Sequence, residues 1–323
     1  MSLTSREWLS ALISADHLVD HLDSKGSIIK FCVVNSDSDH QELRKWLDKL
    51  CVDHNLNLLT VDASKTDVSS PENIVRFLAN GFRTEQNINE FVRYVWRESA
   101  NENEDLVPFM KLAADRDIDK ISLNQSFESA LRRVLPRSSE IHHVPAFNRD
   151  FRNALLKLAS ITREEGRTSP IRAQLIDGFH TWLTGMAPAH ILKMLGIQWK
   201  LRRTNATQIL RSVLALAPMT GYKASIFHLD LRYVTNSEIL AAPAPIKYTK
   251  NRRTGTYQWL RELIDQTHLF DSTFIVVEVG PLFLDQSATG PGIGRYDALK
   301  FRVLDDITTD RDNPSSVITK ISG

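Results

Sequence analysis

Ser27-Ile-Ile-Lys-Phe-Cys-Val-Val34, followed by Asn35-Ser-Asp-Ser-Asp39 and the helical pattern from His40 to His54, is the stretch on which the fold turns. The first run is apolar and β-branched, the pattern of a buried strand. The polar pentapeptide reads as a turn. The third run places Leu43, Trp46, Leu47 and Leu50 on one helical face. Leu56 to Val61 reads as a second strand ending in Asp62-Ala-Ser64, and Pro71 opens a helix where its missing N–H costs nothing. Before all of these, Met1 to Asp23 carries an amphipathic helix pattern. Thr4 and Glu7 have capping-box spacing there, and Trp8, Leu12, Ala15 and Val19 follow at helical intervals. Helix, strand, helix, strand, helix predicts an α/β fold with a parallel sheet under covering helices.

Further along, residues 87–218 turn wholly helical. An acidic break lies at Asn101-Glu-Asn-Glu-Asp105, and residues 136–145 (Pro-Arg-Ser-Ser-Glu-Ile-His-His-Val-Pro) read as a linker. Helices are expected to about Arg163, around Ile171 to Thr184, around Ala189 to Met194, and from Asn205 to Leu216 with Thr204 as cap. Strand character returns at Lys223 to Asp230 and at Phe274-Ile-Val-Val-Glu-Val279, with a helix from about Thr256 to Thr267 between them. The tail from 284 reads as loop-rich, with a short helix near Tyr296 to Lys300. The expected organisation is therefore residues 1–86 and 219–323 as two parts of one α/β core, with residues 87–218 as a large helical insertion.

Composition bounds the function. The chain has 323 residues, 42% apolar and 24% charged, enough to bury a core without staples. Its 40 basic and 39 acidic residues leave a net charge of +1, so nucleic-acid binding is not indicated by the total, although a local patch can hide in it. Cys32 and Cys51 stand in strand-like and helix-like runs with no CxxC pairing and read as buried, reduced thiols. The amino terminus lacks a basic start with a continuous apolar run, and no segment approaches the roughly 18 apolar residues of a membrane span. A cytoplasmic protein without membrane partners is expected.

Two turns decide whether a strand–turn–helix unit of this kind does phosphate chemistry. A P-loop needs a Gly-rich turn whose N–H groups cradle phosphates, a Lys for the outer phosphates and a Ser or Thr for magnesium. No Gly lies between Gly26 and Gly81, and the turn carries Asp37 and Asp39 instead of a Lys. Asp39, with Ser38 or Asp37, can cap the following helix and satisfy its free donors. The second turn should carry an Asp for magnesium and a Glu that activates water. The chain has Asp230 followed by Leu231. A lone Asp at a strand end reads as a solvated turn residue, and hydrolysis in cis is not expected.

The order of these features resembles the P-loop ATP-binding proteins of BREX phage-defence systems, which are AAA+-like ATPases. Arg44-Lys-Trp-Leu-Asp-Lys-Leu50 is similar to the helix after that family's phosphate loop, and Leu58-Leu-Thr-Val-Asp-Ala-Ser64 to its next strand. Trp182-Leu-Thr-Gly185, Leu195-Gly-Ile197 and the run Asn205 to Tyr222 are similar to the helical segment before its acidic strand. Tyr257-Gln-Trp-Leu-Arg-Glu-Leu-Ile-Asp265, Tyr296-Asp-Ala-Leu-Lys-Phe-Arg302 and Asn313-Pro314 are similar to later elements. The resemblance implies a P-loop NTPase-like, AAA+-like core and protein partners in an antiviral complex, an intact ATPase paralogue among the candidates. The chain departs from the family where the family does its chemistry. Ser36-Asp-Ser-Asp-His40 stands where a Gly-Ser-Gly-Lys-Thr type loop is expected, with Asp39 in the Lys position and His40 in the Ser/Thr position. Asp230-Leu231 stands for an Asp-Glu pair. The expectation is a degenerate, non-catalytic subunit, a scaffold or regulator that requires no cofactor. The alternatives are an ATP- and magnesium-binding switch with a rearranged site, and a nucleic-acid-binding module on a helical region bearing Arg132, Arg133, Arg137, Arg149 and Arg152.

Other constellations carry less. Gly290-Pro-Gly-Ile-Gly294 does not directly follow a strand and reads as a flexible surface loop rather than a dinucleotide fingerprint. His142, His143, His180 and His190 lack metal-ligand spacing. Arg252-Arg253, at the expected start of a helix, is unfavourable for the helix dipole, which marks the pair as a candidate for a partner's nucleotide, a nucleic acid or solvent. Arg202-Arg203 is a weaker pair of the same kind.

Overall fold

The computed structural model describes residues 17–100, 147–165, 169–236, 246–304 and 318–321. The proposed linker at 136–145, His142, His143, Arg132, Arg133, Arg137, Asn313-Pro314 and most of the first amphipathic pattern lie outside them. In chain order the elements are α1 (His17–Asp23), β1 (Ser27–Val34), α2 (Asp37–His54), β2 (Asn57–Asp62), α3 (Pro71–Gly81), α4 (Thr84–Ala100), α5 (Arg149–Glu165), α6 (Pro170–Leu183), α7 (Ala189–Met194) and α8 (Arg203–Ala215). They continue with β3 (Ser225–Asp230), α9 (Arg232–Asn236), α10 (Lys250–Asp265), β4 (Thr273–Val279), α11 (Asp297–Leu304) and β5 (Ile318–Ile321). The chain divides into two compact units, Met1–Ile74 with Tyr222–Gly323, and Val75–Gly221.

The first unit is an α/β layer structure. Its sheet runs β2-β3-β4-β1-β5, and every neighbouring pair is parallel. β5 corrects the expectation of a loop-rich tail. Ile318-Thr-Lys-Ile321 is too short to announce itself, yet it pairs with β1 from Phe31 to Val34.

Alternation along the strands sends Cys32, Val34, Ile226, Phe274 and Val276 to one face, where they pack with Leu43, Trp46, Leu47 and Leu50 of α2 and with Leu18 and Leu22 of α1. The opposite face carries Phe31, which stacks on Phe283 at 5.7 Å, with the Tyr257 ring of α10 edge-on to Phe283. The crossover from β1 to β2 runs one way along the sheet, and those from β2 through β4 to β5 run the other. Right-handed crossovers therefore put α2 and α10 on opposite faces.

Three helix starts differ from expectation: α8 begins at Arg203 with Arg202, rather than Thr204, at its N-cap, and α2 and α10 also start early. α2 begins at Asp37, three residues earlier than predicted, because Ser36 is its N-cap and Asp39 completes a capping box. α10 begins at Lys250, six residues early. Gly255, which looks like a breaker, lies inside that helix where the backbone passes Ser69. An added Cβ would stand 3.1 Å from the Ser69 carbonyl oxygen.

The second unit is helical. Phe151 of α5 lies 5.3 Å from Phe179 and 6.3 Å from Trp182 of α6, and all three are buried. Arg172 of α6, 1% exposed, is satisfied by Thr162 at 3.0 Å, Glu85 at 3.2 Å and Asn89 at 2.5 Å. His180 reaches the Ala79 carbonyl, so it serves the packing of this unit. No helix among the described residues is long and apolar enough to cross a membrane.

The glycine-rich loop is also corrected. Ile293 is fully buried, Gly294 N–H donates to the Asp285 carbonyl at 2.9 Å, and Tyr257 donates to the Pro291 carbonyl at 2.5 Å. A Cβ on Gly292 would come within 2.5 Å of the carbonyl oxygens of Asp285 and Leu282. This is a packed turn rather than a flexible one. Gly292→Ala is expected to lower unfolding free energy by about 1–3 kcal/mol in urea denaturation, whereas Gly221→Asn, where a Cβ meets nothing and φ is +95°, should cost less.

Candidate functional site

Neighbouring strands β1 and β4 send their connections in opposite directions, so a crevice is expected at their carboxyl ends, the usual ligand position in an open parallel sheet. The strand register brings acids to this edge. Asp62 pairs with Asp230, and Asp230 with Glu278, across β2, β3 and β4. Three carboxylates in a row on adjacent strands repel one another unless cations or donors separate them.

Arg232, the first residue of α9, does most of that. Its Nε lies 3.0 Å from Asp230 Oδ1 and 3.0 Å from Glu278 Oε1, its Nη2 2.9 Å from Asp230 Oδ2, and its Nη1 3.2 Å from Asp37 Oδ1. Burial works against the guanidinium's charge, but Asp230, Glu278 and Asp37 outweigh it and raise the Arg232 pKa. Asp62 is served separately by Ser64 N–H and hydroxyl and by Lys65, and these hydrogen bonds hold its carboxyl below the usual range despite burial.

Glu278 is completely buried. His40 Nδ1 lies 2.8 Å from Oε1 and His228 Nε2 3.0 Å from Oε2. A carboxylate only accepts, so both ring nitrogens donate. His228 Nδ1 then accepts from Arg44 Nη1 at 3.4 Å, which fixes its Nε2–H tautomer. Burial alone would raise the Glu278 pKa. The hydrogen bonds from His228 and His40, with the charge of Arg232, outweigh it and hold the group at about 2.

The sequence-predicted site residues fall into this picture unevenly. Ser36 caps α2, its Oγ accepting from Asp39 N–H at 3.1 Å. Asp39, 3% exposed, accepts the N–H groups of Asn35 at 3.0 Å and Ser36 at 3.1 Å on one carboxylate oxygen. The connection between β1 and α2 is thus only Asn35 and Ser36, with both N–H groups committed. Asp37 is exposed and pairs with Arg232, Ser38 is exposed, and His40 is half-buried on Glu278. Asp230 corrects the expectation of a solvated turn residue: it is 7% exposed and carries the Arg232 fork. Leu231 is buried and donates its N–H to the Glu278 carbonyl.

Arg252 and Arg253 are not isolated at a helix start. They lie inside the first turn of α10, where Arg252 pairs with Asp67 at 3.0 Å and Arg253 donates to the Val234 carbonyl at 3.1 Å. The carboxylate of Asp67 offsets the unfavourable dipole from within the chain.

Sequence reasoning passed over Glu278, His228 and Arg232. Their signal was there: a Glu and a His inside runs otherwise read as buried strands must find partners. Cys32 is buried, which pushes its thiol up, and half-buried Cys51 is pushed up to about 12, so neither is a reactive thiolate.

Facing atoms of His40, Asp230 and Glu278 lie within 4.8 Å of one another, a spacing that could hold a metal ion. The residues do not fit one as arranged. The Arg232 guanidinium sits on both carboxylates, and His40 Nδ1 is a donor rather than a free lone pair. Nor does the β1–α2 turn fit a phosphate, because Asp39 already takes its N–H groups. No family model, no curated protein and no solved structure matches the chain.

Two outcomes are expected. Arg232→Met, which strips a partner from two buried carboxylates, should destabilise the protein by about 3–5 kcal/mol in urea. It should also make melting temperature rise with millimolar Mn2+, an effect absent in the parent. The pH dependence has a definite sign. Glu278 titrates at about 2 when folded against 4.5 as a free side chain, so its stabilisation is full above the unfolded value and is lost as pH falls through the folded one. Melting curves between about pH 5 and pH 2 should show a steep loss for the parent and a shallower one for Glu278→Gln.

Proposed function

We propose that the sheet unit is a P-loop ATPase-like, AAA+-like core whose nucleotide and magnesium positions are taken by the chain's own ions. On this reading the protein is a non-catalytic subunit, a scaffold or regulator within a prokaryotic antiviral complex of the BREX kind that the sequence resembles. The observation that carries it is the Asp39 carboxylate on the Asn35 and Ser36 N–H groups. Helix N-termini bind phosphate through such donors. An anion tethered three residues away competes at very high effective concentration, and a free phosphate must displace it.

The second support is Arg232, a fixed cation on the two acids nearest to where a metal would be needed. The third is Leu231, apolar where water activation requires a carboxylate. What remains useful in such a fold is its surface. The partners are then protein subunits, an intact ATPase among them, and no cofactor is required.

Calorimetric titration of ATP and ADP with Mg2+ into the full chain is expected to give no binding heat at high micromolar protein. Asp39→Ala should lose about 1 kcal/mol of stability without gaining nucleotide affinity, because no Lys or Gly-rich loop replaces the lost carboxylate. Clear binding to the parent chain would overturn the proposal and make the protein a nucleotide-controlled switch. Co-elution with an intact ATPase subunit of a defence complex is the corresponding test of the scaffold role, and failure to co-elute would count against it.

A further inference from the structure

The helical unit holds a feature that the ion network does not involve. Trp199, between α7 and α8, is 61% exposed, although Trp is among the costliest side chains to leave in water. It is not loosely placed. Its N–H and that of Gln198 donate to the two carboxylate oxygens of Asp150 at 2.9 and 3.0 Å, and its carbonyl accepts from Trp182 Nε1 at 3.0 Å. Asp150 is 4% and Trp182 1% exposed, so the backbone that displays the indole is pinned by two buried groups.

Around the indole is a depression of about 440 Å3, lined among others by Arg149, Arg202, Asn148, Asn205 and Gln208. Asp150 lines it too, but both of its oxygens are already accepting hydrogen bonds. Arg149, Lys200, Arg202 and Arg203 are exposed, and among the described residues none of the four has a carboxylate partner. Three of the four, Lys200, Arg202 and Arg203, lie in a stretch of sequence without acids. From Gly178 to Leu229 there is no Asp or Glu, while Lys193, Lys200, Arg202, Arg203, Arg211 and Lys223 fall in that stretch. A chain with near-equal acids and bases has collected a run of one sign here.

An exposed, rigidly held aromatic face beside guanidinium groups that meet no carboxylate partner among the described residues, and beside amide side chains, is the chemistry of a base-stacking platform with phosphate contacts. We propose that this depression is a single-stranded nucleic-acid site, with one base stacked on Trp199, its neighbouring phosphates on Arg149 and Arg202, and the strand continuing over Lys200 and Arg203. A strand is favoured over a free nucleotide because the cations extend beyond the depression, and over a duplex because a stacked base must be unpaired. The site lies wholly in the helical unit and uses none of the residues of the ion network, so it stands or falls separately from the inactive-core proposal.

Fluorescence anisotropy of a labelled thymidine decamer against the full chain tests it. Affinity is expected to fall as salt rises, and Trp199→Ala to weaken binding about 5- to 150-fold while Trp199→Phe retains most of it. Arg202→Ala should reduce the slope of log affinity against log salt by about 0.7. Trp199 and Arg202 are exposed, so both variants should keep the parent's melting temperature, which is measured alongside. Three results overturn the proposal: no binding at low salt; binding that ignores both Trp199→Ala and Arg202→Ala; or equal affinity for a mononucleotide or for a duplex of the same length.

Discussion

Glu278 is a carboxylate with no solvent exposure at the end of a central strand, and its burial constrains everything around it. An unpaired charge in such a place costs several kcal/mol, so the positions of its donors are not free. His40 must enter from the first turn of α2, His228 from the neighbouring strand, and Arg232 from the start of α9. Three separate pieces of chain are thereby held at the carboxyl edge of the sheet, where an open α/β fold ordinarily offers a crevice to a ligand. Arg232 also joins Asp230 to Asp37, so the network ties β3 and β4 to the start of α2. What would be a mouth is a closed set of ion pairs.

The brevity of the β1–α2 connection is the complementary constraint. A phosphate-cradling loop needs several consecutive residues whose N–H groups point inward, and glycines to bring them close. Two residues cannot form such a concavity. Because Ser36 caps and Asp39 reaches back, helix α2 begins immediately and aligns Leu43, Trp46 and Leu47 on the sheet. Capping and core packing thus favour the same helix start. A longer, glycine-rich turn would shift that start and, with a helical period of 3.6 residues, rotate the apolar face away from Cys32, Val34 and Ile226.

The strands were the most legible part of the chain, since β-branched apolar runs bounded by polar turns have few other uses. β1 and β4 were readable almost to the residue. β5, with four residues and a lysine among them, carried too little pattern. The start of α2 was misplaced because Asn35-Ser-Asp-Ser-Asp39 has turn composition, and the same residue types serve either a turn or the cap of an adjoining helix. The Gly290–Gly294 stretch was misread for a related reason: glycine marks close approach as readily as flexibility, and only the packed neighbour tells which. The site was half legible. Asp39 as an occupant of its own helix terminus followed from electrostatics, whereas Asp230, read alone, gave no hint of Arg232 two residues on or of Glu278 across the strand pair.

Net charge illustrates how a whole-chain quantity hides local physics. A total of +1 argues against a protein devoted to gripping a phosphate backbone, yet the total is a sum over surfaces that never meet a ligand together. In the sheet unit acids and bases are interleaved and cancel within a few ångströms, as Arg232 does with Asp37, Asp230 and Glu278. Between Gly178 and Leu229 the cations have no acid within the same stretch to cancel against. Screening extends over roughly 8 Å at physiological ionic strength, so a ligand at Trp199 feels Arg149, Arg202 and the Asp150 carboxylate beneath the Trp199 backbone rather than carboxylates far along the chain. The relevant charge is the one within a screening length of the site, and for the proposed strand site that is Arg149, Lys200, Arg202 and Arg203 set against Asp150.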